Sequence, residues 1–325
     1  MNRWDGWAIA SLIVGVGATV LTLLGSGEPT PATLFLAAAA APCAVLFLVI
    51  GRMNGRLSTS ALIGGALLGP VVALVGHAVV FVFAASFFLG FPESGRTLEG
   101  LRLDPRVTEI LSSPWLLLVL VEVAVVAPLT EETGKALGAR FAHPASRQEA
   151  FLAGVAAGTG FAIVENILYA AAAATFGGPW PAIVVARAMG AAVHPLATGF
   201  VVTGWWDARH GGGGLALGRA FFTGAAVHAL WNGSMVALAV SETAIHVSGA
   251  PGIMGVATLA FMGALGVVAL AVLWTVSRSV TAGKELHPAV RVADATGLAA
   301  WIVLAASLLV PTSILILAFP SFYLG

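Results

Sequence analysis

Four strings in this 325-residue chain set ionisable or amide side chains inside otherwise apolar sequence. PLTEETGK carries Glu131, Glu132 and Lys135; GFAIVENILY carries Glu165 and Asn166; ARAMGAAVHPLATG carries Arg187 and His194; AAVHALWNG carries His228 and Asn232. These residue types suit hydrolysis. Two adjacent carboxylates cannot both stay comfortably charged in a low-dielectric site, and Lys135 and Arg187 supply counter-charge, so one carboxylate is suited to act as a general base on water. The two histidines are placed to polarise a scissile carbonyl, and Asn232 to donate to a developing oxyanion. Two histidines and a glutamate also make the three protein ligands of a catalytic zinc, although the local HExxH pattern is absent. Metal-free glutamate catalysis is the expectation, with zinc held by His194, His228 and Glu165 as the alternative.

The spacing supports one shared site. Glu131 and Lys135 are four apart, as are His228 and Asn232, and Arg187 and His194 are seven apart, so on helices each pair lies on one face. Depths counted from the helix ends at about 1.5 Å per residue place all four strings near one level, at the membrane midplane or its cytoplasmic side. Pro195 lacks a backbone N–H, so the Ala191 carbonyl loses its helical partner and a kink is expected beside His194.

The elements that carry these residues follow from composition. The chain is 59% hydrophobic and 9% charged, with mean hydropathy +0.97, against about a quarter charged in ordinary globular chains. It reads as an all-α, polytopic transmembrane bundle. About nine spans are expected: Trp7 to Leu24, Ala32 to Ile50, Ser60 to Leu89, Trp115 to Ala139, Ala150 to Phe176, Ala182 to Trp206, Ala220 to Val240, Gly252 to Thr275 and Gly297 to Phe319. Runs this long and this rich in Ala and Leu lack the period-two alternation of barrel strands. The first is read as a retained span rather than a removed signal peptide. Residues 1–325 form a single integral membrane domain in this reading, with a four-helix catalytic core at 114–240 and accessory spans at 1–90 and 252–320.

Direction follows from lysine and arginine placement. With a cytoplasmic amino terminus, eleven basic residues face inward: Arg3, Arg52, Arg56, Lys135, Arg140, Arg147, Arg209, Arg219, Arg278, Lys284 and Arg291. Three face outward, namely Arg96, Arg102 and Arg106. A multi-pass protein of the plasma membrane is expected, in contact with the lipid bilayer. The formal net charge is zero and no basic run offers a footprint for nucleic acid. Cys43 has no intrachain partner, which excludes a disulfide framework and a thiolate cluster.

The four strings resemble the PrsW family of intramembrane proteases, within the superfamily of CAAX prenyl endopeptidases and bacteriocin-processing enzymes. Glu131-Glu132-Thr133-Gly134-Lys135 matches the double-glutamate motif, Phe161 with Glu165 and Asn166 the second, His194 the third, and His228 with Asn232 the fourth. Their order on four successive spans also matches, over about Ala127 to Asn232. Glu165 stands where the prenyl endopeptidases have histidine, and Lys135 stands one residue short of their arginine; both changes favour the PrsW branch. The resemblance implies a polytopic peptidase in which a glutamate activates water and cleaves membrane-anchored proteins such as anti-sigma factors.

Other readings compete. The same buried carboxylates and histidines serve as a proton relay or cation site in transporters, but those normally carry repeat symmetry and paired broken helices, which the sequence does not show. A non-catalytic scaffold is a third class. Glu122, nine residues before Glu131, falls on the opposite face of a regular helix and reads as a structural group. His77 reads as an interhelical hydrogen-bond former. Trp4, Trp7, Trp115, Trp180, Trp205 and Trp206 sit at span ends as interfacial anchors.

Overall fold

The computed structural model describes residues 3–25, 28–89, 114–176, 180–248 and 253–282. Among these residues every regular element is a helix. In chain order they are α1 (Arg3–Leu24), α2 (Pro31–Met53), α3 (Thr59–Leu89), α4 (Pro114–Val121), a π turn (Glu122–Val126), α5 (Ala127–Ala139), a 3-10 turn (Arg140–Ala142), α6 (Arg147–Thr175), α7 (Trp180–Met189), α8 (Val193–Asp207), a second π turn (Ala208–Gly212), α9 (Gly213–Ser248) and α10 (Ile253–Ala282).

Local sequence explains the boundaries. Thr30 caps α2 by accepting from Thr33 N–H at 3.2 Å, with Pro31 in the first turn, where no amide hydrogen is missed. Asn54 ends α2 in the left-handed conformation, φ 48°. Ser146 caps α6 by accepting from Glu149 N–H, and the Glu149 carboxylate reaches back to Ala145 N–H at 2.8 Å.

Among the described residues, five helices are long and apolar enough to cross a membrane, or six if α7 and the Val193–Leu238 run of α8 and α9 count as one bent span. The expected nine differ from this in identifiable places. Trp115 to Ala139 is helical but is divided by the π turn at Glu122–Val126, so no single helix there has spanning length. Ala182 to Trp206 is broken between Met189 and Val193, the axis bends by 40°, and the expected Ala220 to Val240 span falls largely inside the same bent run, on α9. Gly297 to Phe319 lies outside the described residues. The break at residues 190–192 replaces the expected kink within a continuous helix. Val193 N–H returns to Gly190 O at 2.9 Å, and Pro195 falls in the first turn of α8, where its missing N–H costs little.

Small residues set the helix spacing. Gly64 on α3 lies against Gly138 on α5, and a Cβ on either would collide with the other's backbone. Gly158 on α6 lies so close to the His194 carbonyl that a Cβ there would overlap it. Without a hydrophobic driving force between helices in lipid, such close approach is how they gain packing contact. α2 and α6 are buried over most of their length, whereas α1 and α3 present much more surface. The apolar core runs from Ala44, Val45 and Val49 on α2 to Phe151 and Val155 on α6 and Leu196 on α8. The four polar strings lie within this packed body.

Candidate active site

Lys135 is the hub of the buried polar cluster. Its side chain is fully buried, with Nζ 2.8 Å from Glu132 Oε1, 3.3 Å from Glu131 Oε2 and 3.1 Å from His194 Nδ1. The same ammonium lies 3.8 Å from the centroid of the Phe161 ring, a cation–π contact. Glu131, Glu132 and Lys135 share one face of α5, as their spacing predicts.

Glu132 has both oxygens engaged. Oε1 accepts from Lys135 and from His228 Nδ1 at 3.0 Å, and Oε2 accepts from Thr198 Oγ1 at 2.8 Å. A carboxylate can only accept, so it fixes the His228 tautomer with the proton on Nδ1 and the lone pair on Nε2. That Nε2 lies 3.4 Å from Glu131 Oε2 and is buried without a hydrogen-bond partner. A histidine oriented by a carboxylate behind it, its other nitrogen turned to the site, has the arrangement of a metal ligand or of a group meeting substrate.

His194, in the first turn of α8, joins this cluster to a second. Its Nδ1 accepts from Lys135, and its Nε2 lies 3.0 Å from Glu165 Oε2 and 3.2 Å from Arg187 Nη2. Glu165 on α6 is paired with Arg187 on α7. Arg187 Nε donates to Asn166 Oδ1 at 2.8 Å, and Asn166 Nδ2 donates to Ala38 O on α2 at 3.2 Å. The His194 and His228 rings meet edge to face at 4.5 Å between centroids. On α9, Asn232 lies one turn from His228, and its Nδ2 donates to Val123 O in the first π turn at 3.1 Å.

Eight of the nine residues singled out in the four strings therefore fall in one connected group, drawn from α5, α6, α7, α8 and α9, while the ninth, Asn232, bonds to the Val123 carbonyl beside it. Two details differ from the sequence reading. Glu165 is held by Arg187, and the carboxylate grouped with both histidines is Glu131: ligand atoms of Glu131, His194 and His228 all lie within 4.8 Å of one another. Asn232 also has one amide hydrogen committed to the backbone. Thr198 is the residue that sequence reasoning missed; its signal was its position four residues after His194, on the same helix face.

A zinc ion fits this donor set, since two imidazoles and one carboxylate are common zinc ligands and His228 Nε2 is a buried nitrogen lacking a partner. The lone pair of His194 Nδ1 is taken by Lys135.

Glu122 and His77, set aside in the sequence, pair with each other between the first π turn and α3. The nine-residue spacing from Glu122 to Glu131 presumed a regular helix, whereas the π turn shifts the helical phase between them.

Comparison with protein families gives a model of PrsW family intramembrane metalloproteases that matches residues 56–265, more than half of the chain. That range includes all four motif strings. Comparison with curated proteins and with solved structures found no match. The family's description as metalloproteases gives the zinc alternative more weight than the sequence did. The chain belongs to the PrsW family of intramembrane metalloproteases.

Proposed function

We propose that this protein hydrolyses peptide bonds of membrane-anchored proteins at the Glu131–His194–His228 group, with Glu131 activating the attacking water. The observation that carries the reading is the convergence of these ligand atoms within 4.8 Å, inside a buried network reaching five helices. Glu131 Oε2 is turned to Lys135, while Oε1 stays outside the hydrogen-bond network and is the oxygen placed to take a water proton. Glu132, with both oxygens engaged by three named donors, positions His228 and Lys135 and does not itself meet substrate. Asn232 retains an amide hydrogen for the oxyanion of the tetrahedral intermediate. Glu165, Arg187 and Asn166 form the wall that holds His194.

Glu131, His194 and His228 are the residues that would hold a zinc ion, in which case Glu131 would act on the water through the metal, as a ligand, and not as a free base. When bound, the ion supplies Lewis-acid charge that makes water more acidic and the scissile carbonyl more electrophilic. Residues 114–240 form the catalytic core in this reading, with the spans of 1–90 packing against it and, through Ala38, orienting Asn166. The regulated cleavage of single-span regulators, of the anti-sigma-factor kind, is the substrate class we propose. Placement in the plasma membrane with a cytoplasmic amino terminus accords with the eleven-to-three bias in basic residues. A transporter is not favoured: the family is one of proteases, and among the described residues one helix pair is broken, at α7–α8.

The test is cleavage of single-span substrates by purified protein in lipid vesicles, with and without a chelator. The expected result is product from wild type, none from Glu131→Gln, and loss on chelation with recovery on adding zinc. Product from Glu131→Gln at the wild-type rate overturns the role of Glu131, and chelator-resistant cleavage overturns the zinc assignment.

A further inference from the structure

A concavity lies beyond the catalytic cluster, at the carboxyl-terminal ends of α5 and α8. It is a cavity of about 670 Å³ between the end of α5 with its 3-10 turn and the end of α8 with its π turn. Its mouth carries Arg140, His143, Arg209 and His210, all exposed. The rest of its lining is mostly apolar, with Leu68 on α3, the exposed Leu137 on α5 and the buried Val202 on α8. Val202 and Arg209 are seven residues apart, about 10 Å along a helix. The cavity is thus cationic at the helix ends and apolar one to two turns deeper, which is the profile of an amphiphile with an acidic head.

The two arginines converge on one indole. Arg140 Cζ and Arg209 Cζ each lie 5.0 Å from the Trp205 ring centroid. Neither has an ion-pair partner among the described residues. Asp207, two residues before Arg209, is bound by Arg147, with Arg147 Nε 2.8 Å from Asp207 Oδ1. No carboxylate is among the lining residues. Trp206, stacked on His210 with centroids 3.8 Å apart, also lines the cavity, and its Nε1–H is buried without an acceptor. Two uncompensated guanidiniums and an unanswered indole N–H form a donor set that wants an anion with several acceptor oxygens. A phosphate diester whose acyl chains run along the apolar lining matches both halves of the cavity.

We propose that this cavity is a binding site for the headgroup of an anionic phospholipid, with Arg140 and Arg209 holding the phosphate beside Trp205. The site is independent of the proteolytic reading. It lies at the end of the bundle where Arg52, Arg56, Arg140, Arg147, Arg209 and Arg219 cluster, and each arginine near an acidic leaflet contributes about 1 kcal/mol, so two give roughly thirtyfold selectivity.

Full-length protein is reconstituted in phosphatidylcholine vesicles, and quenching of tryptophan fluorescence by brominated phosphatidylglycerol is compared with quenching by brominated phosphatidylcholine. Wild type is expected to prefer phosphatidylglycerol by roughly thirtyfold, Arg140→Gln with Arg209→Gln to lose most of that preference, and Arg147→Gln to retain it. Arg209→Gln alone, on the exposed turn after α8, is expected to lose about fivefold and serves if the double variant does not fold. Equal quenching by the two lipids in wild type overturns the site. So does a full preference in the arginine variants, or an equal loss in Arg147→Gln, which would mean diffuse surface charge. Displacement of phosphatidylglycerol by millimolar inorganic phosphate would identify a soluble phosphate as the ligand and overturn the lipid assignment.

Discussion

Glu132 meets His228 between α5 and α9, and Glu122 meets His77 between the first π turn and α3, so the bundle carries the same pair of residue types twice. Both side chains of the first pair are 0% exposed, against 20% for Glu122 and 37% for His77. Glu132 is surrounded by donors: Lys135, Thr198 and His228 use both its oxygens. Glu122 is half satisfied, with Oε2 buried and unpartnered. The first pair leaves His228 Nε2 directed at Glu131, whereas the second has no further ionisable contact among the described residues. Neither a glutamate nor a histidine in a membrane helix therefore marks a site by itself. What marks it is the number of groups that converge on it.

Variants separate the two pairs. His228→Ala removes the unpartnered nitrogen and leaves Glu132 facing a gap. A loss in kcat of about 10²- to 10⁴-fold is expected, measured by product formation in vesicles. Thr198→Val keeps the volume and deletes the donor to Glu132 Oε2, so Glu132 holds His228 less firmly. We expect kcat to fall roughly tenfold with KM unchanged, and an equal rise in KM alone would place Thr198 in substrate binding instead. His77→Ala breaks the outlying pair. Its expected cost is about 1 kcal/mol of stability with kcat within about twofold of wild type, read from thermal unfolding and initial rates on the same preparation.

The helical class and the cluster were legible in the sequence for a physical reason. Burying charge in lipid is costly enough that Glu131, Glu165, Arg187, His194 and His228 stand out from their surroundings without any geometry. Their helical spacing then gave the shared faces. Which groups touch was not legible, because contacts between helices depend on close approach at Gly64, Gly138 and Gly158, and spacing within one helix says nothing about its neighbour's rotation. The exchange of Glu165 for Glu131 beside the histidines is of this kind, since it turns on where the Arg187 guanidinium lands. The π turn at Glu122–Val126 was equally hidden: EVAVV carries no proline or glycine, and the phase change appears in the hydrogen bonds alone. Thr198 was overlooked because a lone threonine in an apolar run normally bonds its own helix, as Thr159 does with Val155 O at 2.8 Å.

The central claim is that hydrolysis belongs to the Glu131 cluster and not to any buried glutamate in the bundle. The most direct measurement is the initial rate of cleavage of one single-span substrate in lipid vesicles by Glu131→Gln and Glu122→Gln, side by side with wild type. The account predicts that Glu131→Gln falls by at least about a hundredfold while Glu122→Gln stays within about twofold. Equal losses in the two variants, or a Glu131→Gln protein that cleaves at the wild-type rate, would contradict it.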